Sequence, residues 1–107
     1  CAWIISGVEP RVAVSYLHLF GTPPSPQDTI IVKECSNAAE CGYNFYGFRS
    51  SKVVLGVIGA YDPFHQAKPG QQHQSSTGHL GVFFDSGGMR GAMNATWSTG
   101  ASKQPVC

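Results

Sequence analysis

From Glu9 to Phe20 the chain reads EPRVAVSYLHLF, and at helical spacing Arg11, Ser15 and His18 form one polar stripe. Val12, Tyr16, Leu19 and Phe20 fall on the other side. Pro10 stands at a first helical position, Gly21 at a C-terminal cap, and Pro23, Pro24 and Pro26 bar continuation. The spacing predicts one amphipathic helix over 9–20, with the Arg11, Ser15 and His18 stripe solvated.

The remaining pattern predicts strands at Ile30 to Glu34, Asn44 to Phe48, Lys52 to Ala60, Gly81 to Asp85 and Met89 to Trp97, with Ala2 to Ser6 as a short edge strand. Ser86, Gly87 and Gly88 suit a tight hairpin, so the last two strands are expected to pair. His65 to Gly78 lacks periodicity and is rich in Gln, Ser, Pro and Gly, which reads as an exposed recognition loop. The plan is α+β: an N-terminal α-helix packed on an antiparallel β-sheet, leaving the other face for a ligand. Trp3 and Trp97 are read as packing residues. Asn94, Ala95 and Thr96 form an N-glycosylation sequon, but inside a predicted strand, so no glycan is expected there.

The chain has 107 residues, 42% hydrophobic and 12% charged, which fits a single folded domain over 1–107. A formal charge of +1 gives little electrostatic hold on a phosphate backbone. The longest mainly apolar run, Val53 to Ala60, is far short of the ~20 residues of a membrane-spanning helix, so a soluble protein without a membrane partner is expected. A chain beginning at Cys1 reads as a trimmed, secreted form. Four cysteines, Cys1, Cys35, Cys41 and Cys107, favour disulfides and an oxidising compartment. Of the three pairings, the expected one joins Cys35 to Cys41 and Cys1 to Cys107. In the chain-entropy picture, closing a loop of about 100 residues stabilises by ~4.7 kcal/mol. No close Cys pair is matched by a His pair at zinc-finger spacing, so no metal and no cofactor is expected.

Four segments resemble the fungal guanyl-specific ribonucleases: NFYGF at 44–48, YDPF at 61–64, STGHLGVFF at 76–84 and TGAS at 99–102. Their order and spacing carry the likeness over the C-terminal two-thirds. The N-terminal CAWIISGVEPRVAVSYLHLF is similar to the ribonuclease-like effectors of powdery mildew fungi. The resemblance implies a helix on a curved, disulfide-closed antiparallel sheet. It places the family's first catalytic histidine at Glu40, its glutamate base at Tyr61, its arginine at Gly81 and its second histidine at Ser98. None keeps its residue type, so no general acid and no cation for the phosphate remain, and the resemblance implies a pseudo-ribonuclease that is not an enzyme. A rebuilt pair of His65 and His79 is the alternative chemistry, and Tyr43, Phe45 and Tyr46 are candidates for stacking a base.

The function this implies is a secreted fungal effector, delivered into host cells, that binds a host plant protein as a monomer and promotes virulence. Recognition by an intracellular plant immune receptor, as an avirulence protein, is part of the same expectation. Two alternatives stay open: an active ribonuclease using His65 and His79, and a noncatalytic protein that binds RNA weakly.

Overall fold

Val12 and Val14 are wholly buried while Arg11 and Ser15 are exposed, a period of two that belongs to a strand and not to a helix. The computed structural model describes residues 2–19, 28–37, 54–59, 62–85 and 91–106. Its strands are β1 (Ala2–Ser6), β2 (Arg11–His18), β3 (Thr29–Cys35), β4 (Val54–Ile58), β5 (Gln72–Gln74), β6 (His79–Asp85), β7 (Ala92–Trp97) and β8 (Ser102–Val106). A five-stranded sheet has the order β4-β3-β6-β1-β8 and a three-stranded sheet the order β5-β2-β7, with every neighbouring pair antiparallel.

The expected helix over 9–20 is therefore corrected to a strand, and the α+β, ribonuclease-like class to an all-β one: the described residues contain no helix. Two physical causes act together. Alternating β-branched valines suit a pleated surface better than a helical one. β2 also has a partner on each side, β5 and β7, so its backbone groups are satisfied across strands. At its entrance Glu9 takes a left-handed φ of 46°, and the following Pro10 disfavours helical backbone at that residue.

Other expectations also change. Ala2 to Ser6 is an interior strand between β6 and β8, not an edge. The segments at 81–85 and 89–97 do not pair: β6 lies between β3 and β1, whereas β7 joins β2 in the other sheet. The stretch 65–78 is not simply an exposed loop, since it contributes β5 and buries Ala67, His73 and Ser75. Strand β8 had no sequence counterpart. The expected strands at 30–34 and 52–60 are found as β3 and, within the described residues, β4. The expected strand at 44–48 lies outside the described residues, as do Cys1, Cys41 and Cys107. Cys35 is disulfide-bonded, to a cysteine outside them.

The strands of the larger sheet other than the exposed β8 are buried largely on both faces. Register places Trp3, Val82 and Val32 in one row and Ile5 and Leu80 in the next, on the face toward the smaller sheet. There Ile5, Ile30, Val32, Leu80 and Val82 pack with Val12 and Val14 in the main core. Each such side chain contributes roughly 1.5–3 kcal/mol by leaving water. On the opposite face Ala2, Ile31, Val54, Val57 and Phe83 form a second buried cluster, and Lys33 lies there with its Nζ 5.2 Å from the Phe83 ring centre. Among the described residues, these buried strands thus leave no open face for a ligand on this sheet.

β5 is held close to β4 by a tight fit. A Cβ placed on Gly56 would stand 2.6 Å from His73 Cε1 and 3.0 Å from Ala67 Cβ, so only glycine lets the His73 ring lie against this strand. Gly56→Ala is expected to lower stability by about 1–3 kcal/mol through overpacking. A urea melt with an unchanged midpoint would contradict this contact.

Candidate functional site

Of the four positions that the ribonuclease resemblance marks, Gly81 and Ser98 are described; Glu40 and Tyr61 lie outside the described residues, as do Tyr43, Phe45 and Tyr46. Gly81 is buried in mid β6, in register with Ile4 and Lys33, on the sheet face turned away from the smaller sheet. Ser98 follows β7 in that other sheet, where its Oγ accepts a hydrogen bond from the Arg11 N–H at 3.3 Å and its N–H donates to the Arg11 carbonyl at 3.0 Å. The two positions share no cleft.

His65 and His79 are likewise held apart. Asp62 Oδ1 caps a turn by accepting the N–H groups of Phe64 and His65 at 2.9 and 3.0 Å, and His65 Nδ1 lies 3.4 Å from the same oxygen. These donors, the Phe64 N–H foremost, hold the Asp62 carboxyl below its ordinary value. The turn is pinned to β4, where the Val57 N–H donates to the His65 carbonyl at 2.8 Å. His79 sits at the start of β6 with its Nδ1 2.9 Å from Ser6 Oγ. Val57 is in register with Ile31 and Phe83, so His79 is four residues further along and two strands across, roughly 13 Å by 10 Å at standard sheet spacings. An acid and a base acting on one phosphate must both come within about 3 Å of it.

The feature that sequence reading missed is a wedge where the two sheets part. Residues 98–101 carry the chain from β7 in the smaller sheet to β8 in the larger, with Ala101 N–H bonded to the Ser98 carbonyl at 3.3 Å and Gly100 at a left-handed φ of 85°. Among the described residues β7 pairs only with β2, and β8 only with β1, so both are edges. Between them opens a cavity of about 150 Å³, floored by Trp3, Ile5 and Val82 and walled by Met93, Asn94 and Ala95, with Lys103 at its rim. The Lys103 Nζ lies 4.1 Å from the Trp97 ring centre, and Trp97 is 40% exposed. Such a volume accommodates about one aromatic ring, a comparably sized apolar cavity being known to take benzene.

The only sequence hint of this wedge was the alternation of Met93, Ala95 and Trp97. Their strand partners Tyr16, Val14 and Val12 show which face of β7 turns inward. Trp3 and Trp97, read as packing residues, both border the wedge region. No group of three or more His, Cys, Asp or Glu among the described residues is placed to hold a metal ion. No helix among them is long and apolar enough to cross a membrane.

Comparison with protein-family models, curated proteins and solved structures yields no match to this chain.

One buried group makes the fold sensitive to pH. His73 Nε2 is buried without a hydrogen-bond partner, and burial pushes the imidazole below its ordinary value of 6.5. The folded state therefore holds His73 neutral where the unfolded chain binds a proton. Its contribution to stability is whole above 6.5 and declines as the pH falls below it. Asp62, lowered from 3.8, does not contribute to the onset near 6.5. The midpoint of thermal unfolding is expected to fall as pH drops below 6.5, with a shallower fall in His73→Leu. Parallel profiles would show that His73 is not the group responsible.

Proposed function

We propose that this protein is a secreted, noncatalytic binding protein that acts on a host protein by taking one projecting apolar side chain into the wedge between β7 and β8. The wedge is the observation that carries the reading. It joins apolar walls from both sheets to a cation at its mouth, as recognition sites join burial to a few polar groups that fix orientation. Lys103 favours a partner with a carboxylate beside the inserted side chain. The Cys35 disulfide supports an oxidising compartment, in keeping with the effector role expected from the sequence. A charge of +1 lends no support to RNA as the main ligand.

N-acetyl-phenylalanine serves as a probe, since it carries one ring and one carboxylate. Its titration is expected to be saturable and to shift the amide signals of Met93 and Ala95. Lys103→Glu weakens it about tenfold, as losing a charge-assisted contact of ~1.4 kcal/mol does, while the neutral amide of the probe is unaffected. Ala95→Leu fills the wedge and removes binding of both probes. No saturable shift, or shifts elsewhere on the molecule, would refute the site. RNA cleavage lost on His79→Ala would favour the enzymatic alternative.

A further inference from the structure

The sequon at Asn94, Ala95 and Thr96 takes on a different meaning once β7 is placed. A strand interior within a sheet would hide a glycan acceptor, but among the described residues β7 is an edge, and Asn94 and Thr96 are both exposed. They alternate with Met93, Ala95 and Trp97, which stand in register with Tyr16, Val14 and Val12. Since Val12 and Val14 point into the core, Asn94 and Thr96 project from the outer face of the smaller sheet. Their cross-strand partners are Ser15 and Ala13, two short side chains that leave room for a sugar.

A second, independent observation concerns the edges themselves. Unpaired edge strands invite pairing with other chains unless a charge, a proline or a cover blocks it. β8 carries both Lys103 and Pro105, whereas β7, reading AMNATW, carries neither. Its exposed edge has no protection of its own among the described residues.

We propose that Asn94 is an N-glycan acceptor and that the glycan shields the β7 edge. The Asn94 side-chain nitrogen forms a bond to the anomeric carbon of an oligosaccharide donated from a lipid pyrophosphate. The bond from that carbon to the pyrophosphate oxygen breaks, the lipid pyrophosphate leaves with the electron pair, and the amide nitrogen gives up one proton. The Thr96 hydroxyl, two residues on and on the same side, completes the acceptor signal. This rests on the oxidising-compartment component of the proposed function and not on the wedge, which Asn94 also borders.

The test directs the full chain into the secretory pathway of yeast with a foreign leader and analyses secreted and cell-retained protein together. Wild type is expected to carry a mass increment in hexose steps, which peptide-N-glycosidase removes, leaving an aspartate at position 94. Asn94→Gln and Thr96→Ala lose the increment, whereas Thr96→Ser retains it in lower occupancy. Wild type of unmodified mass in both fractions would overturn the acceptor assignment. Asn94→Gln, which lacks the glycan without adding a charge to the edge, is expected to raise light scattering on concentration. Asn94→Gln protein that stays monomeric would overturn the shielding role. A chain isolated from its natural source with Cys35 reduced would instead overturn the compartment reading, which separates that failure from failure of the site.

Discussion

The burial of Val12 and Val14 against the inner face of the five-stranded sheet is the contact on which the rest of this molecule depends. Ile5, Ile30, Val32, Leu80 and Val82 present an apolar surface that needs a cover. β2 supplies it, and brings β5 along one side and β7 along the other. The fit of the His73 ring against Gly56, the inward turn of Met93 and Ala95 and the outward turn of Asn94 and Thr96 all follow from where β2 lies and which way its valines point.

Among the described residues a three-stranded sheet faces a five-stranded one, which leaves an overhang, and the site lies at that mismatch. The step from β7 to β8 through residues 98–101 changes sheets, so the two edge strands diverge from a shared corner and leave Trp3 half-buried between them, beside the buried Ile5. The exposed edges and the wedge thus have one origin. In place of the open face expected for a ligand, the described residues show a narrow slot between two edge strands. The separation of Gly81 from Ser98 comes from the same two-sheet arrangement, whereas His65 and His79 are held apart along the larger sheet itself.

Much of the larger sheet was legible in the sequence, since runs such as TIIV and HLGVFF are rich in β-branched and aromatic residues and bounded by turn formers. The segment 9–20 satisfied two periods at once. Arg11, Ser15 and His18 repeat at helical spacing, whereas Val12 and Val14 alternate, and local propensity does not decide between them. Pairing with β5 and β7, about 60 to 85 residues away in sequence, does. β8 was invisible because SKQPV is a mostly exposed edge with no apolar period, and β5 because three residues, QHQ, carry too short a pattern. The wedge had no linear signature: its residues come from β1, β6, β7 and β8, and only the topology brings Trp3 near Met93 and Lys103. The ribonuclease resemblance matched short segments in order, but it carried an assumption of a single sheet that the strand order does not meet.

The central claim is that β2 is a strand sandwiched against the larger sheet, and proton–proton Overhauser contacts test it most directly. The account predicts cross-strand contacts between the backbones of Val14 and Ala95 and between those of Val12 and His73, together with side-chain contacts from Val12 and Val14 to the Ile5, Val32, Leu80 and Val82 core. A run of sequential amide contacts from Arg11 to His18, with no cross-strand contact to Ala95 or His73, would contradict it.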